Sequence, residues 1–77
     1  GELSPVRGVE LGQERERVVR ALNVLDEEAR AILVLRDLQD LDYQQLAEVL
    51  DVPVGTVKSR LFRARAAMRE AMESQGH

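Results

Sequence analysis

Leu11, Val18, Leu22 and Leu25 recur along the first third of the chain at steps of seven, four and three, with Glu, Arg and Gln between them. That spacing is one face of an α-helix and predicts a first helix over 10–24. Glu16 and Arg20 stand four apart on its solvated side, in the supportive order. A second helix is predicted over 27–38. Asp26 suits its N-cap, and Glu27 and Glu28 sit where the helix dipole favours acids. Its "AILVL" run, Ala31 to Leu35, is apolar almost all round, the pattern of a central helix touched by several neighbours. A third helix is predicted over 43–50, with Asp42 and Gln45 spaced as a capping box and Leu46, Ala47, Val49 and Leu50 turned inward. A fourth is predicted over 54–73. Its stripe of Val57, Leu61, Ala64, Met68 and Ala71 or Met72 advances in steps of four and three.

Between the last two helices lies "DVP", Asp51 to Pro53. Asp tolerates the left-handed backbone that ends many helices, and Pro53 cannot continue one helix but can start the next. Helix, three-residue turn and helix, with the small Ala47 where two helices would cross, is the pattern of a helix-turn-helix. The first nine residues, "GELSPVRGV", show no periodicity and read as the remnant of a flexible linker. The expectation is one all-α domain over 10–77: four helices, a C-terminal helix-turn-helix and a long recognition helix.

Composition narrows this picture. Seventy-seven residues allow one domain, which buries only about 60% of its unfolded surface. There is no cysteine, so neither a disulfide framework nor a thiolate metal site. No apolar run approaches the roughly 20 residues that span a bilayer, and a reducing cytoplasm is compatible. The net charge of −3 is unevenly spread. Residues 1–53 carry six cations and twelve acids, whereas 54–77 carry five cations (Lys58, Arg60, Arg63, Arg65, Arg69) and two acids. An acidic body with a basic end suits a polyanion partner; the same split also suits an ordinary solvated helix rich in arginine.

Phe62, one of two aromatics in the chain, decides between these. At about 100° per residue it lies some 140° from Val57, on the side of Gly55, Ser59, Arg63 and Ala66. It is therefore expected to point out. In a helix-turn-helix the second helix enters the DNA major groove with its N-terminal end. Gly55 and Ser59 are small enough to let DNA come close. Lys58 and Arg63 reach base acceptors or phosphates, and Phe62 fits a thymine methyl. Arg60, Arg65 and Arg69 lie on the flanks, better placed for phosphates. Tyr43 opens the third helix, where its hydroxyl could hold a phosphate, or its ring could simply pack on the surface.

The stretch "LRDLQDLDYQQLAEVLDVPVGTVKSRLFRARAAMREAM" resembles region 4, the C-terminal promoter-recognition module, of bacterial sigma factors, and most of all the extracytoplasmic-function (ECF) group. "PVGTVKSRLFRAR" is its most specific part. Asp51 departs from the glycine usual at that turn. The resemblance implies binding to the −35 element of double-stranded promoter DNA within RNA polymerase holoenzyme. It further implies docking on the flap of the β subunit, sequestration by an anti-sigma factor, action as a monomer and a place in the bacterial cytoplasm. It carries DNA contacts onto Lys58, Ser59, Phe62 and Arg63, and backbone contacts onto Tyr43 and Thr56. Region 2, which melts the −10 element in a complete sigma factor, has no counterpart here.

Other classes fare worse. His77 is the only histidine, and no metal-ligand spacing or glycine-rich phosphate loop occurs, so neither an enzyme nor a cofactor or metal site is expected. The output domain of a response regulator shares "TVKS" in a similar helix but lacks the basic continuation. A protein-docking module remains compatible, since four helices need not cover all of the second one.

Overall fold

The computed structural model describes the backbone from Pro5 to Gln75 and the side chains from Gly12 to Gln75. Expectations placed on residues 1–4, on the Leu11 side chain and on His77 lie outside the described residues. Helix α1 spans Pro5–Val24, α2 Glu27–Leu33, α3 Tyr43–Leu50 and α4 Val54–Gln75; α2 runs on into a π-helical segment, Val34–Leu38. α1 starts five residues earlier than its periodicity predicts, so half of the expected linker is helical. Pro5 occupies the first helical position, where its missing N–H removes no bond.

The helix ends behave as their residues dictate. Asp26 accepts the Ala29 N–H at 2.8 Å. Asp42 accepts the Gln45 N–H, and the Gln45 side chain accepts the Asp42 N–H, both at 2.8 Å, which closes the capping box. Asp51 takes the left-handed backbone, φ 57°. Its N–H and that of Val52 both reach the Ala47 carbonyl, a C-terminal lock that a glycine usually supplies.

α4 packs against α1, α2 and α3. Its Val57, Leu61 and Ala64 are buried together with Leu25, Ile32, Leu33 and Leu46 in one core, to which Ala47, Met68 and Ala71 add partly buried surface. Ala21 is fully buried as well; a small residue in an alternating stretch gives no hydrophobic signal of its own. Two inward assignments are corrected. Val49 is 61% exposed, because Leu46 and Leu50 already carry the short inner edge of α3. Val18 is 39% exposed, because it stands on the rim of a groove and not beneath it.

The second helix differs most from expectation. From Val34 the turn widens: the Gln39 N–H reaches the Val34 carbonyl, and the Leu41 N–H reaches the Leu35 carbonyl. Asp40 then turns left-handed, φ 58°. The widened turn lets Leu35 and Leu41 both lie against the core and leaves Leu38 69% exposed. Leu22, Leu33, Val34, Leu38 and Met68, with Val18 at the edge, line a shallow apolar groove where α1, the π segment and α4 meet.

Leu61 is 3% exposed, so Leu61→Ala should lower stability by about 2–5 kcal/mol. Ser59→Ala, on the exposed side of the same helix, should stay within about 0.5 kcal/mol of the parent. Urea denaturation followed by circular dichroism measures both. Equal midpoints would mean that the two faces of α4 are wrongly assigned.

Candidate nucleic-acid interface

Burial of Val57, Leu61 and Ala64 determines what the rest of α4 must do. Residues on the far side turn to solvent, and Phe62 is 77% exposed, the most exposed large apolar side chain among the described residues. Lys58, Ser59 and Arg63 are exposed on the same side. Exposing a phenyl ring forfeits about 1.5–3 kcal/mol relative to burying it. A domain with two aromatics that leaves one in water gains nothing for folding from it.

Gly55, in the first turn of α4, points the same way. A Cβ built there would meet nothing within 4 Å. The backbone is helical and needs no positive φ. Nothing inside the chain therefore asks for glycine, although glycine disfavours the helix. Open space stands where the side chain would be. The first turn of α4, which contains Gly55, is closed by Pro53, whose carbonyl accepts the N–H groups of both Thr56 and Val57 (3.0 and 3.1 Å). Thr56 is half-buried at this start.

The five cations of α4 do not form one set. Arg60 leans back toward α2, with Nη2 4.0 Å from Glu28 Oε1 and a side chain only 27% exposed. Arg65 donates to Asp37 Oδ1 at 3.0 Å, across to the π segment. Both lie on the flanks, as the helical wheel predicts, and each has an acid of its own. Lys58, Arg63 and Arg69 have no acid within 4.0 Å among the described residues. The unpaired charge of α4 is thus carried by Lys58, Arg63 and Arg69, on the exposed part of the helix that includes Phe62.

Tyr43 begins α3, 39% exposed. Its ring lies under the Arg36 guanidinium, 5.8 Å from carbon to ring centre. Arg36 Nη1 also donates to the Leu41 carbonyl at 3.2 Å. One cation on the π segment therefore braces the loop before α3 and the face of Tyr43 together. The motif reading passed over Arg36. The available signal was a cation set in the apolar run "VLRDL", since a charge at such a place usually has a partner.

Two helices joined across a capped three-residue break, the second exposing a basic and aromatic face, define a helix-turn-helix protein. Comparison with known proteins sharpens this. Residues 15–68 match the family model "Sigma-70, region 4". The ECF RNA polymerase sigma-E factor of Escherichia coli (strain K12) is 43% identical over 68 residues, 87% of this chain and 36% of that protein. The factor of the same name from Salmonella typhimurium (strain LT2) aligns equally well. That of Haemophilus influenzae is 41% identical over 64 residues, 82% of this chain and 34% of its own. The chain belongs to the sigma-70 region 4 family, and its relatives are of the ECF group. It spans about a third of the length of these relatives. Membership decides between the two helix-turn-helix readings against the response-regulator one.

Gly55→Ala tests the reserved space directly. With no internal clash it should stabilise the fold by about 0.4–1 kcal/mol, read as a raised thermal midpoint. It should weaken DNA binding at the same time. A variant that gains stability and binds as before would show that the space is not used.

Proposed function

We propose that this domain binds the −35 element of promoter DNA by placing the N-terminal half of α4 in the major groove, and so directs RNA polymerase to promoters. The exposed Phe62, set among Lys58, Ser59 and Arg63, is the observation that carries this reading. A thymine methyl is the apolar feature that such a ring meets in the groove, and Arg63 suits guanine O6 and N7. Gly55 admits the DNA backbone. Thr56 and Tyr43, at the two helix starts, face phosphates, and Arg36 holds the Tyr43 ring in place. Arg60 and Arg65 reach phosphates only after leaving Glu28 and Asp37. The reading includes no catalytic step and no cofactor, a monomeric domain and a bacterial cytoplasmic setting.

The apolar groove between α1, the π segment and α4 supports a second contact. With Leu38 69% exposed and Val18 39% exposed beside Leu33 and Met68, it offers a dry seat on a face of α4 other than that of Phe62. In this proposal it receives the β-subunit flap of the polymerase, and an anti-sigma factor competes for it.

Phe62→Ala should leave the thermal midpoint nearly unchanged and weaken binding to the selected −35 duplex by about 1–3 kcal/mol, the scale of a base-edge contact. Replacing the contacted thymine by uracil should reproduce part of that loss with the parent chain and none with the variant. Fluorescence anisotropy measures both. A Phe62→Ala chain that unfolds, with no effect of uracil, would make the ring part of the core and end this reading.

The salt dependence separates free from paired cations. With Arg63 on a base, the free cations Lys58 and Arg69 predict a slope of log K against log salt of about −1.8, and Arg60 and Arg65 added to them would give about −3.6. Asp37→Asn, which releases Arg65, should steepen the parent slope by about 0.9. A slope near zero would remove the phosphate contacts altogether.

A further inference from the structure

The four side chains of the exposed face are not chemically equivalent. Lysine and arginine only donate hydrogen bonds, and phenylalanine does neither. Ser59 is the single member of the set with oxygen lone pairs. Its one proton is already committed, because Ser59 Oγ donates to the Thr56 carbonyl, one turn back, at 3.1 Å. The Thr56 carbonyl points along the helix toward Ser59, so the hydroxyl proton is turned onto the helix backbone and the lone pairs of Oγ are left for a donor from outside. Turning the hydroxyl to donate outward would exchange this bond for one like it. Lys58 and Arg63 beside it already supply charged donors, which bind base acceptors more strongly.

The major groove offers such an acceptor two partners. Guanine presents N7 and O6, and thymine presents O4, all of them acceptors. The donors are the exocyclic amines, N6 of adenine and N4 of cytosine. A carbonyl set against the Ser59 lone pairs would leave both groups without a proton between them. An amine completes the bond.

Resting on the promoter-binding reading, we propose that Ser59 is a specificity-determining residue that acts solely as an acceptor and selects an amine-bearing base, adenine or cytosine, at one position of the element. Arg63 and Ser59, four residues apart on one face, then read opposite chemistries: Arg63 requires acceptors and Ser59 requires a donor. Phe62, lying between them in sequence, fills the apolar gap.

The test uses the full chain and the DNA duplex that it enriches from a randomised 12-base-pair library. Each adenine of that duplex is replaced in turn by purine, which lacks N6, and each cytosine by 2-pyrimidinone, which lacks N4. Affinities are compared between the parent and Ser59→Ala. Weaker base pairing in the analogue affects both proteins alike, so only the difference between them is read. The expected result is one position at which removing the amine weakens the parent roughly three- to tenfold, the scale of one neutral hydrogen bond, and leaves Ser59→Ala unchanged. Whether purine or 2-pyrimidinone produces it tells adenine from cytosine. If the difference arises instead with 7-deazaguanine or 7-deazaadenine, the hydroxyl donates and the inference is wrong. If no position distinguishes the two proteins while Arg63→Ala and Phe62→Ala still weaken binding, Ser59 reads no base, although the promoter reading stands. A chain that enriches no sequence overturns both.

Discussion

The seating of one stripe of α4 on the other helices is the contact from which the rest follows. Val57, Leu61 and Ala64 lie against Ile32, Leu33 and Leu46, all nearly or wholly buried. Each large side chain in that contact contributes on the order of 1.5–3 kcal/mol, and a domain of this size has few others. Because the stripe is narrow, it fixes the rotation of α4 about its own axis. Turning the helix far enough to bury Phe62 would bring Lys58 toward the core and lift Leu61 out. The exposed ring is therefore held in place by its neighbours' burial, and the chemistry of the outer face is set by the packing of the inner one.

Much of this was legible because it depends on local chemistry. The Asp26 cap, the Asp42–Gln45 box, the left-handed Asp51 and the span of α3 each follow from a few adjacent residues, and the structure shows all of them. The outward direction of Phe62 follows from a 22-residue helix whose periodicity is long enough to read. The π segment could not be read. Five residues of a short, nearly all-apolar helix carry too few turns to tell a wider spacing from the ordinary one. Val49 and Val18 misled for a related reason: hydropathy records what a residue could bury, and the neighbours decide whether anything covers it. The partners of Arg60 and Arg65 lie in distant segments, 28 or more residues away, so no local pattern announces them.

If α4 meets DNA as proposed, those two ion pairs alter the balance between attraction and discrimination. An arginine-rich helix would bind any duplex through its phosphates. Here two of its five cations are engaged by Glu28 and Asp37, and the first 53 residues are net acidic. Both reduce the sequence-independent pull. On the proposed reading, what is left free lies close to Phe62 and Ser59, the groups assigned to base edges. Exposed pairs of this kind add little to stability, about 0–1 kcal/mol, so their effect falls on the partner's field and not on the fold.

Gln75, at the far end of α4, meets α1 through two bonds: its Nε2 donates to the Arg17 carbonyl at 2.9 Å, and its Oε1 accepts from Arg20 Nε at 3.0 Å. The distance along the axis from Leu61 to Gln75 is about 21 Å at 1.5 Å per residue. That span turns the helix into a pointer held at its tail. An ångström of play at Gln75 swings the axis by only about 3°, a small error over so long an arm. A modest, partly exposed clasp is thus enough to aim a rod, provided it grips far from the pivot, and the direction in which α4 points becomes a property of where α1 runs.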